Sequence, residues 1–113
     1  MRLESKKYLY DIARAASLAA EFIAGKTYSD YLGDVMLRSA VERQVAIAGE
    51  ALVQLARIDL PTASRLTDYK RIIAFRNVLV HGYTEIDDSI VWSVLQQYLP
   101  GLRTQAEMLM HEQ

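Results

Sequence analysis

From about Ser5 to Ala24, apolar side chains fall at Leu9, Ile12, Ala13, Ala16, Ala19, Ala20 and Ile23. The same three-and-four spacing returns between Asp34 and Ile58, at Val35, Leu37, Val41, Val45, Ala48, Ala51, Leu52 and Leu55. This is the period of a helix that buries one face. Two such stretches fill about two fifths of 113 residues, and a chain of that length has room for one hydrophobic core. No segment alternates as a half-buried strand would. The expectation is a single all-α domain over residues 1–113, an antiparallel up-and-down bundle of four main helices with a short extra helix.

The punctuation agrees with the period. Ser5 is a candidate cap for the first helix, and Gly25 ends it. Lys26 to Gly33 reads as a turn or short helical turn, and Asp34 caps the second long helix. Pro61 suits the first turn of a short helix. A third main helix starts at Thr67 or Asp68, carries Tyr69, Ile72, Ile73 and Phe75, and stops at Gly82. Asp87 or Asp88 caps the last, with Ile86 placed to staple against Val91. It runs through Trp92, Leu95 and Leu99 toward Met110, with Pro100 expected to kink it. Gly49 lies inside the second long helix, where it costs roughly 1 kcal/mol relative to alanine. Another helix is therefore expected close to the backbone at that point. Arg43 and Glu50 are seven apart and share a face, either as a polar seam or as two ordinary exposed charges.

Charge and cysteine content narrow the function. A net charge of −1 argues against a general nucleic-acid coat protein. No cysteine is present, which removes disulfides and thiolate metal sites and is compatible with a reducing cytoplasm. The amino terminus is charged and lacks an apolar run long enough for a signal peptide or membrane span, so the expected location is the cytoplasm. The charge is uneven: Arg65, Lys70, Arg71 and Arg76 precede residue 77 with only Asp68 against them. That run is either a solvated helix face or a local phosphate-binding patch, with Lys70 and Arg71 as phosphate contacts.

The stretch Arg76-Asn77-Val78-Leu79-Val80-His81-Gly82-Tyr83 carries the chemistry. Asn77 and His81 are four apart and meet on one helix face. Arg76 and His81 are five apart, about 140° around a helix of 3.6 residues per turn, and diverge. They converge on one phosphate only if the helix loosens at His81-Gly82 or if a second subunit completes the site. A histidine can give or take a proton near neutral pH, and arginine offers a cationic fork for phosphate oxygens. Together they suit RNA cleavage by the adjacent 2′-hydroxyl without a metal or other cofactor. On spacing alone, His81 also reads as a structural residue before a capping glycine, Tyr83 as core or edge, and Asn77 as a local cap.

The same stretch resembles the Arg-x4-His-x-Tyr signature of the HEPN superfamily, and the chain resembles its HepT-like toxins. The resemblance extends to Tyr8-Leu9-Tyr10-Asp11-Ile12, to Ala40–Gln44 with Gly49-Glu50-Ala51, and to Leu99-Pro100-Gly101-Leu102. Many relatives carry a Pro-Trp pair where Leu66-Thr67-Asp68-Tyr69 stands here, and Tyr69 can supply the bulky aromatic. The resemblance implies a metal-independent ribonuclease acting as the toxin of a two-gene (type VII) toxin–antitoxin module. It implies Arg76 and His81 as the catalytic pair, Asn77 in support, and a homodimer with a composite site. It implies a minimal nucleotidyltransferase as the antitoxin partner, attaching AMP to Tyr83. Two readings compete with it. One is a non-catalytic nucleotide-binding or substrate-positioning subunit of a two-component nucleotidyltransferase. The other is a structural helical dimerisation module.

Overall fold

The computed structural model describes residues 1–82 and 86–112, and in these every regular element is helical. The helices are α1 (Leu3–Ile23), α2 (Tyr28–Leu32), α3 (Val35–Ile58), α4 (Leu60–Ala63), α5 (Tyr69–His81), α6 (Asp88–Gln97) and α7 (Leu99–Met110). The two apolar stripes become α1 and α3, which pack along each other. α7 covers the remaining side of α1, and α5 lies on α3. Leu9, Ile12, Val41, Val45, Leu52, Leu55, Ile72 and Leu102 form the centre of the core, each at most 2% exposed. The domain measures 44 × 29 × 19 Å. Its least dimension is about two helix layers at 8–10 Å between axes, so α5 has one covered face and one bare face.

The expected stops and starts are present with two corrections. Gly25 adopts φ 72° just past α1, the left-handed position that glycine occupies without a Cβ clash. Asp34 caps α3 by accepting from the Leu37 amide at 3.0 Å, and Asp87 caps α6 by accepting from the Ser89 amide at 2.9 Å. The turn after Gly25 is α2, opened by a capping box between Thr27 and Asp30.

Ser5 is not a cap. α1 begins at Leu3, and Ser5 is fully buried one turn in. Its hydroxyl donates to Asp59 Oδ2 at 2.7 Å, which satisfies a polar group that burial would otherwise penalise. The last helix is also divided at Tyr98 rather than merely bent, with Pro100 inside the first turn of α7. Proline lacks the N–H that would bond one turn back, and it disfavours helical geometry in the residue before it.

The entry to α5 is tied to α7. The Thr67 amide donates to Gln105 Oε1 at 3.0 Å, and Gln105 Nε2 donates to Thr67 Oγ1 at 2.6 Å. Arg65 donates to Glu112 through both terminal guanidinium nitrogens, Nη1 and Nη2. Leu66 is fully buried, and Tyr69 packs against the core as the bulky aromatic at this corner.

Candidate functional site

α5 buries a narrow strip, Ile72, Phe75 and Leu79. The spacing of those three positions fixes where the polar residues point. Arg76 falls on the flank facing α3. Asn77 and His81, about 40° apart on a helix of 100° per residue, fall on the bare face; both are exposed. Lys70 is about 20° from His81 by the same geometry and is exposed too.

Arg76 can reach α3 because Gly49 stands opposite. A Cβ built on Gly49 would lie 2.2 Å from Arg76 Cβ, far inside van der Waals contact. The close approach expected from a mid-helix glycine is therefore made by the arginine itself. Its side chain is 21% exposed. Nη2 lies 2.6 Å from Glu50 Oε2, and Nη1 donates to Asn77 Oδ1 at 2.9 Å. Glu50 is held in turn, because its Oε1 accepts from Gln54 Nε2 at 3.0 Å, and Gln54 Oε1 accepts from Arg57 Nη2 at 2.5 Å. The guanidinium thus sits at the end of a hydrogen-bonded chain along α3. Its Nε is buried with no partner among the described residues. That unmet donor costs free energy, while Glu50 and Asn77 fix the guanidinium in place.

His81 is the last residue of α5, and Gly82 closes the helix by donating its amide to Val78 O at 2.7 Å. The helix stays regular through His81, so it does not loosen to bring the imidazole toward Arg76. Asn77 links the two sides, lying on the His81 face while its carbonyl holds Arg76. The structure brings Arg76 and Asn77 into contact and leaves His81 apart from the arginine.

Lys70 stands over the Tyr69 ring at 6.0 Å. Arg71 turns the other way, toward α6. It stacks on Tyr98 at 4.7 Å and donates to the Tyr98 hydroxyl. Lys70 therefore shares the His81 face, whereas Arg71 does not. Tyr83 lies outside the described residues.

Two hollows flank α5. On the Arg76 side a groove of about 370 Å³ runs between α1, α3 and α5. Arg43 and Glu50 both line it, on the face their spacing gives them, but Glu50 pairs with Arg76 and not with Arg43. On the other side an apolar hollow of about 530 Å³ lies between α5 and α6 over Phe75 and Val94. Its rim holds Val78 and Ile90, 49% and 50% exposed. Gln54 is a residue to which sequence reasoning assigned no role, and Glu50 was placed with Arg43 rather than with its actual partner, Arg76. The signal was present in Glu50, which follows a glycine inside a helix.

Among the described residues, no three His, Cys, Asp or Glu side chains gather closely enough to hold a metal ion, and no helix is long and apolar enough to cross a membrane.

A family model described as Ribonuclease HepT-like matches residues 12–109. The chain is 29% identical to a Thermococcus cleftensis protein named "Probable ribonuclease HepT", over 96% of this chain and 98% of that one. It is also 29% identical to a Methanocaldococcus jannaschii protein named "Putative RNase MJ1380", over 92% and 94%. A second protein of that organism, named "Gamma-glutamylcyclotransferase and putative RNase MJ0434", is 28% identical over 99% of this chain but only 50% of its own length. No solved structure gives a significant match.

Proposed function

The chain belongs to the Ribonuclease HepT-like family, and from that membership we propose that it is a HEPN-type endoribonuclease acting as a homodimer. The observation that carries this reading is the divergence of Arg76 and His81. Arg76 turns inward onto Glu50, His81 stands exposed at the end of α5, and one chain offers half of a phosphodiester-cleaving site. The bare face supplies the means of completion. Ala74 and Val78 lie next to Asn77 and His81 on α5, and a second copy seated on that apolar stripe would bring its own polar face against the first.

In the assembled site, His81 takes the proton from the 2′-hydroxyl, and the 2′-oxygen attacks the adjacent phosphorus. The 5′-oxygen leaves with a proton from solvent water, and the imidazolium then returns the proton it took. The products are a 2′,3′-cyclic phosphate and a 5′-hydroxyl. Arg76 balances the charge that builds on the non-bridging oxygens, and Asn77 and Glu50 keep its guanidinium in place. The reaction needs no metal. Lys70, on the same face as His81, can steer a neighbouring phosphate, a role less suited to Arg71, which is engaged by Tyr98.

The biological role proposed is that of the toxin in a two-gene module whose antitoxin is a minimal nucleotidyltransferase. AMP attached to Tyr83, two residues beyond His81, would set a phosphate beside the catalytic pair and exclude the RNA phosphate by charge and bulk. The second reading, a nucleotide-binding subunit without catalysis, is favoured only by the carboxylate already on Arg76.

Incubation of the purified, unmodified protein with RNA in EDTA tests the activity. Cleavage is expected, with none on a strand lacking 2′-hydroxyls and none by His81→Ala. Intact RNA, or equal cleavage by His81→Ala, would overturn the reading.

A further inference from the structure

The groove on the Arg76 side has chemistry that cleavage alone does not use. From the arginine proposed to hold the scissile phosphate it extends along α3 both ways from Glu50, to Gln54 on one side and to Arg43 on the other, with Tyr8 and Lys7 of α1 also lining it. Its volume of about 370 Å³ lies in the range of small-ligand sites. The charges are arranged in a particular way. Lys7 pairs with Asp11 at 3.3 Å and Arg76 with Glu50 at 2.6 Å. Arg43 is exposed and has no ion pair or hydrogen bond among the described residues. Tyr8 is half-buried and packed against the core, with the Lys7 ammonium 5.0 Å from the ring centre. That lysine side chain is 67% exposed and is easily displaced.

We propose that this groove is a single-stranded nucleotide subsite, holding the nucleotide next to the scissile phosphate. This rests on the ribonuclease reading above. The base lies against Tyr8, displacing the Lys7 ammonium from the ring. Arg43 takes the next phosphate, and Gln54 and Glu50 present an amide and a carboxylate to the base edge. An aromatic wall between cations spaced along a groove is how single strands are held, since every base has a π-face and every linkage a charge. The hollow on the other side of α5 is lined mainly by apolar side chains, and the one cation in its lining, Arg71, is already engaged by Tyr98, so it suits a protein surface better. The Glu50 carboxylate accepts but cannot donate, so the groove should favour guanine, whose N1–H and N2–H offer two donors side by side. The nuclease would then cut some sequences in preference to others.

Fluorescence anisotropy with short 2′-O-methyl oligoribonucleotides of each base tests this without cleavage, because the attacking hydroxyl is blocked. Failure of the nuclease reading would show as intact ordinary RNA, and failure of the subsite as unchanged binding in the groove variants. Tyr8→Leu keeps much of the packing but loses the π-face, and should weaken binding about tenfold, while Tyr8→Phe restores it. Arg43→Gln should weaken binding to all sequences and lower the salt slope by about one. Glu50→Gln should change the order of preference among the four homopolymers. Unchanged affinity and salt slope in both Tyr8→Leu and Arg43→Gln would overturn the proposal. So would variants that bind RNA normally yet lose binding to a nucleotidyltransferase partner, since the groove would then be a protein contact.

Discussion

Arg76 Cβ rests on the bare backbone of Gly49, where an added methyl would come within 2.2 Å of it. The clash is with the stem of the arginine, which cannot swing aside as the end of a long side chain can. Gly49→Ala should therefore push α5 off α3. Overpacking of this kind costs about 1–3 kcal/mol, against a helix-propensity gain of about 1 kcal/mol. The expected result is a lower melting temperature together with a loss of RNA cleavage, because the Arg76–Glu50 pair would be displaced. Thermal unfolding and a cleavage assay on the same preparation check it. An alanine variant more stable than the wild type would refute the close approach.

How far the sequence revealed this relationship depends on the kind of signal. Periodicity identified α1, α3 and the core, because burial of one face imposes the spacing. Gly49 indicated a close approach, but its partner lies 27 positions away in sequence, and nothing local names it. Helix geometry separated Arg76 from His81 correctly, since α5 is regular. It did not show Arg76 meeting Glu50, which depends on how two helices cross. Ser5 was misread because a serine near a helix start resembles a cap. Its true partner, Asp59, is 54 residues on. Arg71 and Lys70 looked equivalent in the charge run, and only the position of Tyr98 separates them.

A second prediction concerns the cluster where α6 meets α2 and α3. Burial, and then the nearby Asp88 carboxylate, hold the Glu42 carboxyl above its ordinary range, with Arg38 opposing them. A raised carboxyl pKa means that the folded state prefers the proton. The contribution is fully present below the unfolded value of about 4.3 and is lost as pH rises through the folded value. Glu42→Gln should accordingly raise the melting temperature at pH 8 and leave it nearly unchanged at pH 4. The same melts on Tyr31→Phe should show little loss, because the buried Tyr31 hydroxyl has no partner to forfeit among the described residues. A Glu42→Gln variant that gains nothing at pH 8 would contradict this account.

Asp59 joins three helices. It accepts from Ser5 Oγ and Thr62 Oγ1, both at 2.7 Å, and from the Thr62 amide at 3.3 Å. The hydrogen bonds from Ser5 and Thr62 hold its carboxyl below the ordinary range. Its stabilising effect is present above the unfolded value of about 3.9 and fades as pH falls through the lower folded value. Asp59→Ala removes a cap worth about 1 kcal/mol and strands the buried Ser5 hydroxyl, at about 1–3 kcal/mol. Urea unfolding at pH 7 should show a combined loss of about 2–4 kcal/mol. Ser5→Ala should cost less, since Asp59 keeps its Thr62 partners. Equal losses from the two variants would mean that the cap contributes little.

The last prediction concerns the separation of Arg76 and His81. If each site takes its arginine from one chain and its histidine from the other, Arg76→Ala and His81→Ala homodimers are both inactive. A heterodimer of the two still holds one site with both residues intact, formed by the arginine of the His81→Ala chain and the histidine of the Arg76→Ala chain. Unfolding the two variants together and refolding them should therefore restore RNA cleavage that neither shows alone. If both residues of a site came from the same chain, every site in the mixture would lack one of them, and the mixture would stay inactive. The face proposed to join the copies provides a control. Val78→Asp places a charge on the apolar stripe beside His81 without touching Arg76 or its partners. It should shift the protein from dimer to monomer in sedimentation and abolish the restored cleavage. A charged variant that remains dimeric and still supports restoration would move the interface elsewhere while leaving the composite site standing. A mixture that stays inactive although heterodimers form would remove the composite site itself.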